Sequence, residues 1–592
     1  MERSEQLIKH RRDQRVNMNL IAFAVLRRMR KPCIVLICVY AVVVLGYVLI
    51  PGEDANGDPV QVSFFEAFYF VSYMATTIGF GELPNFSNGQ RLWTMASLYA
   101  TVIGWLYGFG SLLGLLRDPQ LSSVLKRHRF RLRVKAFNDP FALVVGYGLT
   151  AADVVRKLAD QGMSSVVIER DPARALFLEM EHIAMDAAVL VADGKDPGVL
   201  LDAGLNHPNC EVVLCLTRDD HTNLSVSIAS KILNPTRPVV SRVASPEYAR
   251  NLESFKTDFV LSPNLLFADT IRMAIDKPFH YLVRDWLVSD NHRPMASAYQ
   301  RRQGTWVICG YNELGRPLYR QLRDIGIEVV IIDPDPEGNG TPSDCKVVKG
   351  LGTEAGTLMM ADIQSAVGVV ACTNDDPNNL SIILTARDLN SNLITVSSLN
   401  EPTSHHVYCA AAIDMVLDPT EVLSNQILVC LKTPLLMQLM ESIDDYDEAW
   451  CRRLLYQLFD RVGSERVDTW SIHLDEKRAP AVDHYLANVG SMVLGDLSRE
   501  GPQSLRAPCI PLLLVREGQS TVLPEADMVI KRGDEVLFAG KGGERQRMLW
   551  MIENNNVMEY VMTGRAHSSI VWSWLRRKRL GISGIKGALE DQ

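Results

Sequence analysis

No sign of charge dominates this sequence: 61 Lys plus Arg stand against 69 Asp plus Glu in 592 residues, so the chain as a whole has no nucleic-acid signature. Cysteine is poor in pattern. The 11 cysteines form no CxxC pair and no Cys/His spacing of the kind zinc requires, and they sit mostly in apolar runs such as Trp306 to Cys309, as expected for a reduced, cytosolic bulk. With 47% apolar and 22% charged residues, disorder, collagen and coiled coil are excluded. Lys and Arg are missing altogether between Pro51 and Gln90, and no arginine ladder precedes the first long apolar run, which leaves no voltage-sensing segment. The length corresponds to roughly four domains of about 150 residues.

What is present at the front is apolar. From Pro32 to Ile50 nineteen residues carry no charge, enough at 1.5 Å per residue to cross about 30 Å of hydrocarbon. The run is longer than the core of a signal peptide, and no small-residue cleavage site follows Ile50. A second uncharged stretch, Leu92 to Leu116, has small residues at helical spacing (Ala100, Gly104, Gly108), which lets neighbouring helices approach closely. Nine Lys/Arg precede Pro32, among them Arg11, Arg12 and Arg15, and seven more lie from Arg117 to Lys135. Cations stay on the cytoplasmic side. The expectation is therefore a multi-pass protein of the cell membrane, surrounded by lipid, with both termini cytoplasmic.

The loop between the spans reads FFEAFYFVSYMATTIGFGELP, a helix-length aromatic run from Phe64 to Ala75 and then a TIGFG turn. Non-helical backbone at membrane depth is tolerated only where it lines a hydrated path. Glycines at alternate positions allow successive carbonyls to point toward one axis, where four such loops could replace the water shell of a potassium ion. Thr77, Ile78, Gly79, Phe80 and Gly81 resemble the selectivity filter of potassium channels, with Glu82 where that family usually has Asp. The resemblance implies K+ ligands from the carbonyls of Thr77, Ile78, Gly79 and Phe80 and from the Thr77 hydroxyl. One chain supplies a quarter of such a ring, so a homotetramer follows. The inner-helix glycine usual in that family falls on Ala100; Gly104 and Gly108 are the remaining candidates for a gating hinge.

From Phe141 onward short Val/Ile/Leu runs alternate with amphipathic segments, and the pattern occurs twice. FALVVGYGLTA matches TWVICGYNELG, with Gly146 and Gly310 at an offset of 164; Glu169 and Asp333 keep that offset. LTRDDHTNLS matches CTNDDPNNLS at 156. Each copy has a strand, a glycine turn, a helix and an acid about twenty residues on, the arrangement that seats a phosphate at a helix N-terminus and a carboxylate on ribose hydroxyls. Copy one offers Gly146, Gly148 and Ala151. Copy two offers Gly310 and Gly315, but its Asn312 would crowd a pyrophosphate. Glu169 and Asp333 would repel a 2′-phosphate, favouring NAD or another adenine nucleotide over NADP.

This tandem resembles RCK domains, also called KTN or TrkA-N domains, which regulate potassium channels and transporters. The resemblance implies nucleotide contacts from Asp193, which follows Ala192, and from Thr217 and Thr373; the offset of 158 brings Gly350 and Leu351 to the place of Ala192 and Asp193. Copy one is therefore the favoured nucleotide site. The stretch from Ile510 to Gly540 resembles the C-terminal lobe of the same family. The fold expected is a membrane α-helical pore of two spans and a re-entrant helix, followed by two tandem Rossmann-like α/β domains and an α+β lobe. Its segments are a basic N-terminus (1–31), the pore (32–116), a linker (117–140), the first copy (141–300), the second (301–462), the lobe (463–545) and a tail (546–592) carrying VWSWLRRKRL.

The function expected is a potassium channel, not an enzyme, opened or closed by a cytosolic nucleotide such as NAD or ADP through the linker. Two alternatives stay open. The ligand could be a divalent cation such as calcium, for which Asp444, Asp445, Asp447 and Glu448 have the charge but no calcium-loop glycine spacing. Two Rossmann-like units would also suit a membrane-anchored NAD-dependent oxidoreductase, although no substrate domain and no His/Lys/Tyr constellation stand out.

Overall fold

The computed structural model describes residues 27, 29–53, 58–78, 86–117, 119–180, 187–288, 304–432, 434–463, 467–499 and 508–564. The chain divides into two compact units, Met1–Arg133 and Val134–Gln592.

The first unit holds α1 (Met29–Leu49), a two-residue antiparallel pairing of β1 (Gly52–Glu53) with β2 (Pro59–Val60), α2 (Phe64–Ala75) and α3 (Asn88–Leu116). Among the described residues, Met29–Leu49 and Asn88–Gly114 are the helices long and apolar enough to cross a membrane singly. Ser63 starts α2 with a capping box: its hydroxyl accepts from Glu66 N, and Glu66 Oε2 accepts from Ser63 N at 3.0 Å. The helix buries Ala67, Phe70, Val71, Tyr73 and Met74 against Val43, Val44 and Tyr47 of α1, with Phe86 closing the cluster. A Cβ on Gly46 of α1 would lie 2.2 Å from the Trp93 ring, whereas Gly104 meets Val39 and Leu36 at 3.7 Å or more and Gly108 meets nothing within 4 Å. Trp93 Nε1 donates to Val43 O at 3.1 Å, and the Tyr47 hydroxyl donates to Thr94 Oγ1 at 2.8 Å. α4 (Pro119–Lys135) carries the chain on toward the second unit.

Copy one runs β3 (Phe141–Val145), α5 (Leu149–Ala159), β4 (Ser164–Glu169), α6 (Pro172–Met180), β5 (Ala187–Val191), α7 (Pro197–Asp202), β6 (Cys210–Cys215), α8 (Asp220–Leu233), β7 (Val239–Arg242), α9 (Pro246–Ser254) and β8 (Phe259–Leu261). Its strands form a six-stranded parallel sheet in the order β5-β4-β3-β6-β7-β8. Every residue of β3 is buried, as a parallel strand covered on both faces must be. After α10 (Pro263–Asp276) and α11 (Pro278–Val288), copy two repeats the order as β9 (Thr305–Cys309), α12 (Gly315–Asp324), β10 (Glu328–Asp333), β11 (Lys346–Lys349), α13 (Ala355–Met360), β12 (Gly368–Ala371), α14 (Asp376–Leu389), β13 (Ile394–Ser398), α15 (His405–Ala410) and β14 (Met415–Leu417), its sheet reading β11-β10-β9-β12-β13-β14.

The copies interlock. α16 (Pro419–Lys432), which leaves the second sheet, places Leu423, Ile427 and Leu428 in the core of copy one beside Val154, Val155 and Leu158 of α5. α10, leaving the first sheet, buries Phe267, Ala268 and Ile271 in a cluster with Trp306, Leu314 and Leu318 of copy two. The chain ends in α17 (Pro434–Ile443), α18 (Glu448–Val462) and an antiparallel lobe of β15 (Val467–His473), α19 (Pro480–Asn488), β16 (Cys509–Arg516), β17 (Gln519–Val522) and β18 (Glu535–Lys541), in the order β15-β18-β16-β17. α20 (Glu544–Glu553) and α21 (Asn555–Thr563) put Met548, Met551 and Met558 into the lobe's core, so packed structure continues past residue 545.

Candidate functional site

At the pore turn, α2 ends on Thr76, whose hydroxyl donates to Ser72 O at 3.1 Å. Thr77 then takes φ +60°, an uncommon conformation for a β-branched residue, and Ile78 N donates to Tyr73 O at 3.1 Å. The chain thus leaves the helix abruptly at Thr77. The Thr77 hydroxyl donates to Thr76 O at 2.7 Å. Gly79, Phe80 and Gly81, like Glu82, the N-terminal cations before Arg27 and the VWSWLRRKRL tail, lie outside the described residues. Ala100, Gly104 and Gly108 all lie within the unbroken span of α3.

In copy one the chain turns at Gly146 (φ +92°), whose amide donates to Ile168 O at 2.8 Å; a Cβ there would lie 2.8 Å from Thr217 Cγ2 and 3.1 Å from the Thr217 backbone. Gly148 caps α5 with extended backbone and no side-chain hydrogen bond, and among the described residues, its chain neighbours aside, no atom lies within 4 Å of where its Cβ would be. The N-terminus of α5, with its partial positive charge, is open. Ala151 is fully buried. Glu169, 7% exposed, accepts from Tyr147 N at 2.5 Å through Oε2 and from Asp171 N at 2.8 Å through Oε1. One of its roughly four acceptor positions therefore holds the glycine turn, and another the start of the chain beyond β4. Asp193, exposed, accepts from Lys195 N at 3.0 Å. The site lies where strand order reverses, between β3 and β6, the crevice in which doubly wound sheets bind ligands.

Copy two keeps the frame and closes the seat. Gly310 (φ +102°) donates to Ile332 O at 2.8 Å, and Asp333 accepts from Tyr311 N at 2.8 Å, from Asp335 N at 2.9 Å and from Asn339 Nδ2 at 2.8 Å. Asn312 fills the place that is empty at Gly148. Its Oδ1 accepts from Leu314 N at 2.9 Å and Gly315 N at 3.0 Å, and its Nδ2 donates to Cys372 O at 2.7 Å and Asn374 Oδ1 at 3.0 Å. The amides that would grip a phosphate are held by the chain's own side chain. α12 begins at Gly315 where α5 begins at Leu149, two residues later in the repeat, and a Cβ on Gly315 would lie 2.0 Å from Gly310 O.

Asn223 and Asn379, to which the sequence assigns no role, hold the two threonines. Thr217 donates through Oγ1 to Asn223 Oδ1 at 2.6 Å while Asn223 Nδ2 returns to Thr217 O at 2.9 Å. Thr373 and Asn379 repeat this clasp at 2.7 and 3.1 Å. The TxxxxxN spacing common to both copies was the available signal. In the acidic segment, Asp447 caps α18 by accepting from Trp450 N at 2.8 Å, and Glu448 accepts from buried His280 and, at 3.0 Å, from Phe279 N. Desolvation opposes ionisation of Glu448, yet these hydrogen bonds, that from His280 foremost, hold its pKa below the usual value. Among the described residues, no group of three or more His, Cys, Asp or Glu could hold a metal ion.

The sequence matches the ion-channel family over residues 34–114 and the TrkA-N domain twice, over residues 142–263 and 306–419. The chain carries an ion-channel domain and two TrkA-N domains. The first TrkA-N match takes in Gly146, Glu169, Asp193 and Thr217, and the second takes in Gly310, Asp333 and Thr373. The voltage-gated potassium channel Kch of Escherichia coli (strain K12) is 23% identical over 219 residues, 37% of this chain and 51% of that protein. Potassium channel protein 1 of Methanocaldococcus jannaschii is 25% identical over 155 residues, 26% of this chain and 46% of that one. The chain thus spans about half the length of these relatives. Among solved structures, the GsuK channel has a TM-score of 0.46 at 16% identity, covering 89% of this chain and 99% of its own, and the GsuK channel bound to NAD has 0.44 at 16%, covering 90% and 100%.

Proposed function

We propose that this chain is one subunit of a homotetrameric, potassium-selective channel of the cell membrane, with both termini cytoplasmic, gated by a nucleotide such as NAD or ADP bound to the first TrkA-N domain. Pore formation rests on the TIGFG turn that follows α2 between two membrane-length helices. Nucleotide gating rests on one observation above the others: the capless, unobstructed N-terminus of α5 at the switch point of the first sheet. Ligand binding to one conformation of the cytosolic domains would be passed to α3 through the covalent linker α4.

Flux from liposomes tests this directly. The purified chain should release K+ and not Na+, and NAD or ADP should change the rate. Equal passage of both ions defeats the channel reading. A response to calcium alone, with both nucleotides inert, transfers gating to a divalent cation. NADH oxidation by the purified protein would restore the oxidoreductase alternative.

A further inference from the structure

The two copies differ at a second place on the same edge of the sheet. In copy one, Arg242 ends β7 and its Nη1 donates to Thr217 O at 3.2 Å. Thr217 is the residue that lies against Gly146, so the guanidinium is joined through one residue to the glycine turn. At the repeat offset of 156, Arg242 corresponds to Ser398, and Thr373 O instead takes the neutral amide of Asn400 at 3.1 Å.

Arg242 is half-buried and in no ion pair among the described residues. Asp220, the acid whose field it feels most, uses its oxygens to accept from Ala244 N at 3.0 Å and Ser245 N at 2.8 Å. A guanidinium carries a permanent positive charge and N–H donors that a phosphate can accept from. Copy one therefore combines an open helix N-terminus with a cation that makes no direct ion pair among the described residues, although the charges of Asp220 and Glu313 act on it. Copy two has Asn312 at the first place and Ser398 at the second, where Asn400 reaches the threonine carbonyl instead. The two divergences point to the same class of ligand, an anion.

We propose that Arg242 reads a phosphate group of the nucleotide in the first copy, so that phosphate charge is what distinguishes the ligand from its nucleoside. This rests on the reading of copy one as the nucleotide site.

The test is calorimetric titration of the purified full chain with ADP and with adenosine, for wild type, Arg242→Gln and Arg242→Lys, each checked for a cooperative melt. Losing a hydrogen-bonded charge contact is expected to weaken ADP about 10- to 100-fold in Arg242→Gln, while Arg242→Lys keeps most of the affinity and adenosine remains the weaker ligand of wild type. Arg242→Gln binding ADP as wild type does, or Arg242→Lys losing as much as Arg242→Gln, overturns the assignment and leaves the site standing. Wild type binding no ADP at all removes the site itself. If Arg242→Gln does not melt cooperatively, Arg242→Lys decides: near-wild-type affinity supports the charge role, and a loss as large as 10-fold overturns it.

Discussion

The first and second TrkA-N domains share a fold and part company at the surface where a ligand would sit. The positions alike in both are those the backbone needs. Gly146 and Gly310 each take positive φ against a threonine, Glu169 and Asp333 each hold a turn amide, and each threonine is clasped by an asparagine six residues on. The positions that differ are Gly148 against Asn312, at the start of the helix, and Arg242 against Ser398, at the end of the fifth strand of each sheet. In a duplicated domain, then, shared residues report mainly on scaffold and unshared ones on use. A glycine fingerprint counted residue by residue would have scored the copies nearly alike.

The largest effect should come from closing the open copy. Gly148→Asp puts a carboxylate into the seat, and like-charge juxtaposition of several kcal/mol should weaken ADP binding by about 100-fold or more; unchanged affinity would mean that α5 carries no ligand. Next, Gly315→Ala drives a methyl against Gly310 O and should destabilise the second domain by about 3 kcal/mol or more, the scale of severe core strain. Ala151→Gly, at the matching place, should lose only about 1 kcal/mol of helix propensity. Urea melts of the two variants test the contrast, and similar midpoints would contradict the later start of α12. Removing the plug is smaller: Asn312→Ala should lower stability by about 1–2 kcal/mol through loss of a cap, and titration should show no second ADP equivalent while Asn400 remains.

The smallest effect concerns α18, which follows the second domain and meets α11 through Glu448. Because the pKa of Glu448 is depressed in the folded chain, its contribution is complete above the unfolded-state value and fades as pH falls through the folded one. Glu448→Gln should therefore melt earlier than wild type near neutrality, by about 1 kcal/mol or less given its partial exposure, and the difference should shrink in acid. A gap that widens in acid would have the sign wrong.

Much of this was legible beforehand. The aromatic run from Phe64 to Ala75 is the span of α2, and the two apolar stretches are the long helices α1 and α3. These are local matters, decided within a few residues by periodicity, charge and side-chain size. Arg242 was missed because its partner is twenty-five residues away in sequence and the repeat does not mark it. The interlock was missed for the same reason on a larger scale: Lys157 meets Asn425, at 2.7 Å, across 268 positions. Glu169 also holds Tyr147 N, a contact that no spacing rule encodes.

The exchange of α10 and α16 between the sheets carries a consequence for how this gene could be shortened. A product halted before Pro419 would synthesise the whole first sheet and still leave Val154, Val155 and Leu158 bare on one side. Such a fragment would aggregate or recruit another molecule's helix. The duplication, once interlaced in this way, cannot be undone by simple deletion.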